Sequence, residues 1–234
     1  GGSAVLLSAT LSLQMRNRLC QIWANHAEAS AIQQTTFPLA TRVSASINHK
    51  PGDIQENVIE AIPRLTRTIG VEFIHEQQQI VDLILQAAQI GQCVVWVCNS
   101  VDDAFEAWHN IREQMDNPSH CLLFHSRFVL QHRQDKEKAV LVAFGKSSTQ
   151  EQRQGRILIC TQVFQESLDA DADIMVSDIC PIDDLIQRVG RLHRHTRNSK
   201  GQVEADVGDV RAPPVIYLHS PSWQEQPDAQ WLQR

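Results

Sequence analysis

Cys93-Val94-Val95-Trp96-Val97-Cys98 is the stretch on which the fold turns. This unbroken apolar run lies between Gly91 and Asn99. It is short for a helix and too uniformly apolar for a strand with one wet face. It reads as a strand buried on both faces, as in parallel sheets covered by helices on either side. Such a sheet needs amphipathic helices between its strands, and the flanks supply them. Residues 76–89 set Ile80, Leu83, Ile84 and Ala87 along one helical face, and 102–115 form a second helix. The alternation continues with a strand over 121–124, a helix over 131–144, strands over 156–160 and 174–176, and a helix over 182–195. The fold class is therefore α/β, a parallel sheet with helices on both faces. In such sheets ligands collect at the carboxyl ends of the strands. That rule makes Asn99, His125, Thr161 and Asp178 candidates for one shared surface.

Upstream the pattern is less regular. Ala4-Val5-Leu6-Leu7 predicts a buried strand turning at Ser8-Ala9-Thr10. Ser12 is placed to cap a helix over 13–25, with Met15, Leu19, Ile22 and Trp23 at helical spacing. These elements, residues 1–25, read as the end of one domain. Residues 26–70 hold Pro38, Pro51, Gly52 and Pro63 and read as a connector with a strand over 39–47 and a short helix over 54–62. Residues 71–200 form the main domain. Residues 201–234 are an extension carrying one more strand over 215–218.

Composition bounds the function classes. The 234 residues are 42% apolar and 21% charged, an ordinary soluble balance. No apolar run approaches the roughly 20 residues that span a bilayer. The first residues lack the basic stretch of a signal peptide, so a cytoplasmic setting without a membrane is expected. The six cysteines follow no metal-binding rhythm and read as small buried hydrophobes, so no metal ligands are assigned. A net charge of −6 gives no global signal for nucleic acid, but its distribution does. Glu166, Asp169, Asp171, Asp173, Asp178, Asp183 and Asp184 crowd a stretch with no Lys or Arg. Arg188, Arg191, Arg194, Arg197 and Lys200 follow with no acid among them. The inversion suits a phosphate site, with or without a metal nearby, or a pair of faces joined by salt bridges.

The sharpest local signal is Gln187-Arg188-Val189-Gly190-Arg191-Leu192-His193-Arg194. On a helix running to His195, Gln187, Gly190, Arg191 and Arg194 would share one face, while Leu185, Val189 and Leu192 would face the core. Asp183 and Asp184 fall in the first turn, where the helix dipole favours acids. Two arginines a turn apart offer planar forks to phosphate oxygens, and a glycine beside them permits close approach. A plain surface helix would lack a reason for that glycine, which costs about 1 kcal/mol against alanine.

The octet is similar to motif VI of superfamily 2 helicases, and Ser8-Ala9-Thr10 is similar to their motif III. With Thr161-Gln162-Val163, Ser167-Leu168-Asp169, Val97-Cys98-Asn99, Phe144-Gly145-Lys146 and Leu123-Phe124-His125-Ser126-Arg127-Phe128, the ordered set resembles the helicase-nuclease of type I CRISPR systems, subtype I-E in particular. The resemblance covers roughly residues 3 to 200. It implies a RecA-like lobe of the P-loop NTPase fold, the second of two that clasp ATP and Mg²⁺ with single-stranded DNA across both. It further implies a separate nuclease domain and recruitment by a guide-RNA surveillance complex. Carried over, Arg191 and Arg194 contact the γ-phosphate with help from Gln187, while Asp169, Gly190 and Arg188 lie on the nucleotide side. Thr161, Gln162, Asn99, His125, Ser126 and Arg127 line the DNA track. Ser8 and Thr10 couple nucleotide state to domain closure.

Three features set limits on this carry-over. The family usually reads Val-Val-Glu-Gln-Ser-Leu-Asp, whereas here Gln165 and Glu166 exchange the acid and the amide, so Glu166 receives no role. Ala170 and Ala172 replace bulkier residues and are expected to loosen packing. No Walker A loop, DExH box or His-Asp nuclease pair occurs; Gly145-Lys146-Ser147-Ser148 imitates the first, but Val140 stands where its leading glycine belongs. The chain is thus expected to need the rest of the enzyme and to be inactive alone. Competing readings are another superfamily 2 helicase acting on RNA or duplex DNA, and a nucleotide-silent RecA-like interaction module.

Overall fold

The computed structural model describes residues 2–24, 32–44, 53–61, 66–198, 200–204 and 208–226, the side chain at 167 excepted. It divides the chain into two compact units, Gly1–Arg67 and Thr68–Arg234.

In the first unit α1 (Leu13–Trp23) starts where expected, with the Ser12 hydroxyl accepting the Met15 amide. Cys20 is its buried residue, whereas Met15, Ile22 and Trp23, expected to pack, are exposed. The strand expected over 4–7 does not form. Val5, Leu6 and Leu7 are open to solvent, and no strand among the described residues pairs with them. β1 (Leu39–Val43) and β2 (Ile54–Val58) make an antiparallel hairpin, with Leu39 opposite Val58 and Val43 opposite Ile54. This corrects the helix expected over 54–62. Ile54 and Val58 share a face at either period, and the ladder with β1 decides for a strand. Residues 25, 45–47 and 62 of the expected elements lie outside the described residues.

The second unit is built on a parallel sheet. Its elements are β3 (Gly70–Ile74), α2 (Gln77–Gln89), β4 (Val94–Val97), α3 (Val101–Glu113), β5 (Cys121–Phe124), α4 (Leu130–Phe144), α5 (Gln150–Arg153), β6 (Ile157–Cys160), α6 (Val163–Ser167), β7 (Ile174–Asp178), α7 (Ile182–Val189) and β8 (Val215–His219). The strand order is β3-β8-β7-β4-β6-β5, with every pairing parallel. β4 and β6 are buried at every position.

The period-two pleat sends alternate residues of β4 to opposite faces. Val95 and Val97 join Leu158, Cys160 and Met175 under Phe144 of α4 and Phe164 of α6. Val94 and Trp96 join Ile157, Ile159 and Val176 under Ile80 and Ile84 of α2 and Ala107 and Ile111 of α3. Each fully buried aliphatic side chain contributes about 1.5–3 kcal/mol through area removed from water. Ala170 and Ala172 are fully buried and bridge to Gly145 and Leu192, so they fit tightly instead of loosening the loop. The tail expected as an extension supplies β8, inserted between β3 and β7.

One correction bears on the site. α7 ends at Val189, not at 195, with Gly190 as its cap. Leu192 then pairs in parallel with Ala172, the His193 amide donates to the Ala172 carbonyl, and His193 adopts φ 46°. Fully buried Leu192 pulls the chain out of the helical path.

Candidate functional site

Two surfaces emerge from this geometry. The first is the carboxyl edge of the sheet, where the end of each strand presents its next residue. Asn99 follows β4, and its amide donates to the Asp178 carboxylate at the end of β7 (2.9 Å). The Asn99 side-chain amide donates to the Ile179 carbonyl (2.7 Å). Thr161, following β6, is buried and donates its amide to the Phe124 carbonyl, next to His125. The four residues singled out by the carboxyl-end rule therefore do share one edge. His125 stacks on Phe128 at 4.0 Å, with the Lys136 ammonium 5.5 Å from the Phe128 ring centroid. Burial, then Arg127 and Lys136, lower the His125 pKa, which keeps its imidazole neutral near pH 7. Its Nδ1 accepts the Arg127 amide. Ser126 and Gln162 are exposed, and Arg127 reaches outward to Asp102 in a surface ion pair (2.9 Å).

The second surface lies at the far end of α7. The helix leaves the carboxyl edge after Pro181, and Leu192 meets Ala172 just ahead of β7. Arg191 and Arg194 therefore stand toward the opposite edge, not beside Asn99, and the expectation of a single helical face for them fails. Arg191 is half-buried, donates from Nη2 to the Gln165 carbonyl (2.8 Å), and has a buried Nε with no hydrogen-bond partner among the described residues. Burial and then the neighbouring Arg194 pull its pKa down, with Asp169 opposing. Arg194 is exposed and joins its Nε to Asp169 (2.5 Å). His195 Nε2 lies 3.2 Å from the same carboxylate. Burial would raise the Asp169 pKa, but Arg194, His195 and Arg191 outweigh it and hold the carboxyl ionised. Asp169, Arg191, Arg194 and His195 thus form a cluster with more positive than negative charge. Gln187 sits half-buried on α7, one turn before Gly190.

Arg188, expected to meet nucleotide, is instead 2% exposed and engaged within the lobe. Its guanidinium donates to Gln165 Oε1 (3.0 Å), Ser177 Oγ (2.8 Å), the Asp178 carbonyl (3.1 Å) and Asn99 Oδ1 (3.1 Å). Ser8 and Thr10 lie in the first unit, where the Thr10 amide donates to Ser8 Oγ.

The acidic-to-basic inversion resolves largely into internal pairing. Asp171, fully buried, pairs with Arg197 (2.5 Å), and Asp173 pairs with Arg153 and Arg211 (2.8 Å each). Nothing in the sequence marks Arg153 and Arg211 for this network, because they lie outside the inverted stretch. Nor does it mark Gln165 as a partner of Arg188, although the exchange with Glu166 points to the place. Among the described residues no group of three or more His, Cys, Asp or Glu side chains is arranged to hold a metal, and no helix is long and apolar enough to cross a membrane.

Comparison with known proteins places these features. Residues 90–197 match the family model described as CRISPR-associated nuclease/helicase Cas3, C-terminal. The chain is 34% identical over 202 residues to the CRISPR-associated endonuclease/helicase Cas3 of Escherichia coli K12, covering 84% of this chain and 22% of that protein. The crystal structure of T. fusca Cas3 with AMPPNP superposes with a TM-score of 0.73 at 22% identity, over 97% of this chain and 27% of that one. A CRISPR RNA-guided surveillance complex before nicking contains a chain matching at TM-score 0.71 and 21% identity, over 97% of this chain and 29% of that one. The chain therefore spans about a fifth of the length of its curated relative in E. coli. Residues 90–197 thus correspond to the C-terminal region of the Cas3 family of CRISPR-associated nuclease/helicases, and most of the parallel sheet lies within that match.

Proposed function

We propose that this chain supplies the second motor lobe of an ATP-dependent helicase that moves along single-stranded DNA during type I CRISPR interference. Arg191 carries the reading. A half-buried guanidinium with an unmet Nε, depressed pKa and a second arginine beside it is a cation short of an anion. A nucleotide γ-phosphate would satisfy both arginines, and the planar fork of each suits phosphate oxygens. Asp169 holds Arg194 until the phosphate arrives, and Gln187 and Gly190 would border the same approach. ATP and Mg²⁺ would be held mainly by the first motor lobe of the complete protein, with ATP as the energy source. The DNA backbone would pass along the carboxyl edge, touching Arg127, Ser126, Gln162 and Asn99, with Thr161 and His125 buried at the same edge. Ser8 and Thr10 would relay closure of the two lobes. The relative in the surveillance complex supports recruitment by a guide-RNA assembly.

The test is Arg194→Ala in the complete enzyme. ATP turnover is expected to fall by about 10³-fold, the scale of a lost arginine finger. Single-stranded DNA binding should stay near its parental value. Equal loss of both, or unchanged turnover, would show that Arg194 does not serve the γ-phosphate.

A further inference from the structure

Beyond Leu192 the chain is backed by residues 209–211, which lead into β8. Their contacts fall on both chain neighbours of Arg194. Asp209 Oδ2 lies 3.9 Å from His193 Nδ1, and Arg211 Nη2 donates to the His195 carbonyl (2.5 Å). The Val210 amide donates to the Arg197 carbonyl (3.2 Å). Arg211 is itself fixed by carboxylates on its other sides. Its Nε and Nη2 donate to Asp209 (2.9 and 2.6 Å). Its Nη1 donates to Asp173 Oδ1 (2.8 Å) and lies 3.3 Å from both Asp171 oxygens. Arg194, by contrast, has an exposed side chain tied to Asp169 and the Gly190 carbonyl. A long, rotamer-rich side chain keeps its aim only where the main chain that bears it is fixed. Upstream, the pairing of Leu192 and the His193 amide with Ala172 provide that. Downstream, the His195 carbonyl on Arg211 does.

We propose that Arg211 is a positioning residue for Arg194. It clasps the downstream side of residues 193–195 as Ala172 holds the upstream side, so Arg194 leaves a main chain fixed at both ends. An arginine suits this joint because one planar fork meets three carboxylates and a main-chain carbonyl at once. A lysine ammonium, a point charge on a flexible stem, can stay with the carboxylates but cannot also hold the carbonyl. Displacing a catalytic group by about 1 Å can slow a reaction by up to about 100-fold. Loss of one tether among several should cost less. The proposal rests on the reading of Arg194 as a ligand of the γ-phosphate.

The experiment uses the complete enzyme and measures ATP kcat, ATP KM and single-stranded DNA affinity for Arg211→Lys, Arg194→Ala and the double variant. Arg211→Lys should lower DNA-stimulated kcat by about tenfold, with KM and DNA affinity within about twofold of the parent. In the Arg194→Ala background the same substitution should change residual turnover by less than about twofold, because the group it positions is gone. If Arg211→Lys does not fold, Asp209→Asn carries both expectations, since it loosens the same guanidinium and leaves Asp171 and Asp173 in place. Parental kcat in Arg211→Lys, a matching loss of DNA affinity, or equal slowing in both backgrounds would each overturn the positioning role. The last two are what a tie that serves only folding would give. Parental turnover in Arg194→Ala overturns the phosphate reading itself, whereas a slow Arg194→Ala beside a parental Arg211→Lys overturns the role of Arg211 alone.

Discussion

Arg127 and Arg188 show how little an arginine's sequence position says about its task. Both flank recognisable motifs, yet Arg127 points to solvent with only a surface partner while Arg188 is sealed among main-chain and amide oxygens. Exposed ion pairs contribute about 0–1 kcal/mol, so Asp102 leaves Arg127 free to trade for a phosphate. Arg127→Ala in the complete enzyme should weaken single-stranded DNA binding and flatten its salt dependence by about 0.7 log units for each phosphate that Arg127 neutralises. A slope equal to the parent's would remove Arg127 from the track. That the two arginines beyond α7 lie side by side is legible in the sequence, and a phosphate role for them is the proposal made above. Their placement in the fold is not legible, because Gly190 reads equally as a close-approach residue inside a helix and as its terminus.

Among the elements, legibility follows burial. β4, β6 and the helices α2, α3 and α4 are readable to within a few residues because a strand buried on both faces leaves an unbroken apolar run, whereas the short α5 and α6 beside β6 are too brief to show a period. β3 escapes the sequence reading, since this edge strand exposes Val71 and Phe73 and mixes them with Glu72 and Gly70. β2 reads as a helix because five residues cannot separate a period of two from one of 3.6. The end of α4 offers a sharp test. A Cβ on Gly145 would lie 2.3 Å from the Leu141 carbonyl oxygen, which itself accepts the Gly145 amide. The Gly145 carbonyl also accepts Arg197 and the Ser148 hydroxyl. Gly145→Ala should therefore destabilise the lobe by about 1–3 kcal/mol, read as a lower denaturant midpoint at unchanged slope. An unchanged midpoint would mean the turn yields freely.

For the molecule as a whole, the ionic network behind β7 sets the response to acid. Burial alone would raise the Asp173 pKa, but Arg153, the Cys93 amide and Arg211 outweigh it and hold the group at about 2. Because the folded value lies below the unfolded one, the stabilisation is complete above about pH 4 and is lost as pH falls toward 2. It amounts to about 2 kcal/mol at neutral pH. Denaturant titrations from pH 6 to 2.5 should show this decline, and Asp173→Asn should begin lower and decline less steeply. Equal slopes would place the acid sensitivity elsewhere. The 234-residue chain by itself should show no DNA-stimulated ATPase, and measurable turnover by the pure chain would refute dependence on the other lobe. Val5, Leu6 and Leu7, and separately Ile22 and Trp23, are exposed in the first unit. Leu7→Ser should raise the chain's solubility; unchanged aggregation would point to another patch.

The early end of α7 has a mechanical consequence. Because Leu192 is stitched to Ala172, the segment bearing Arg191 and Arg194 is moored to the sheet and cannot ride as the tip of a rod. Its aim is then governed by a leucine sealed in the interior, so on the proposed phosphate role of the pair, shaving that leucine to alanine should slow turnover without touching either guanidinium.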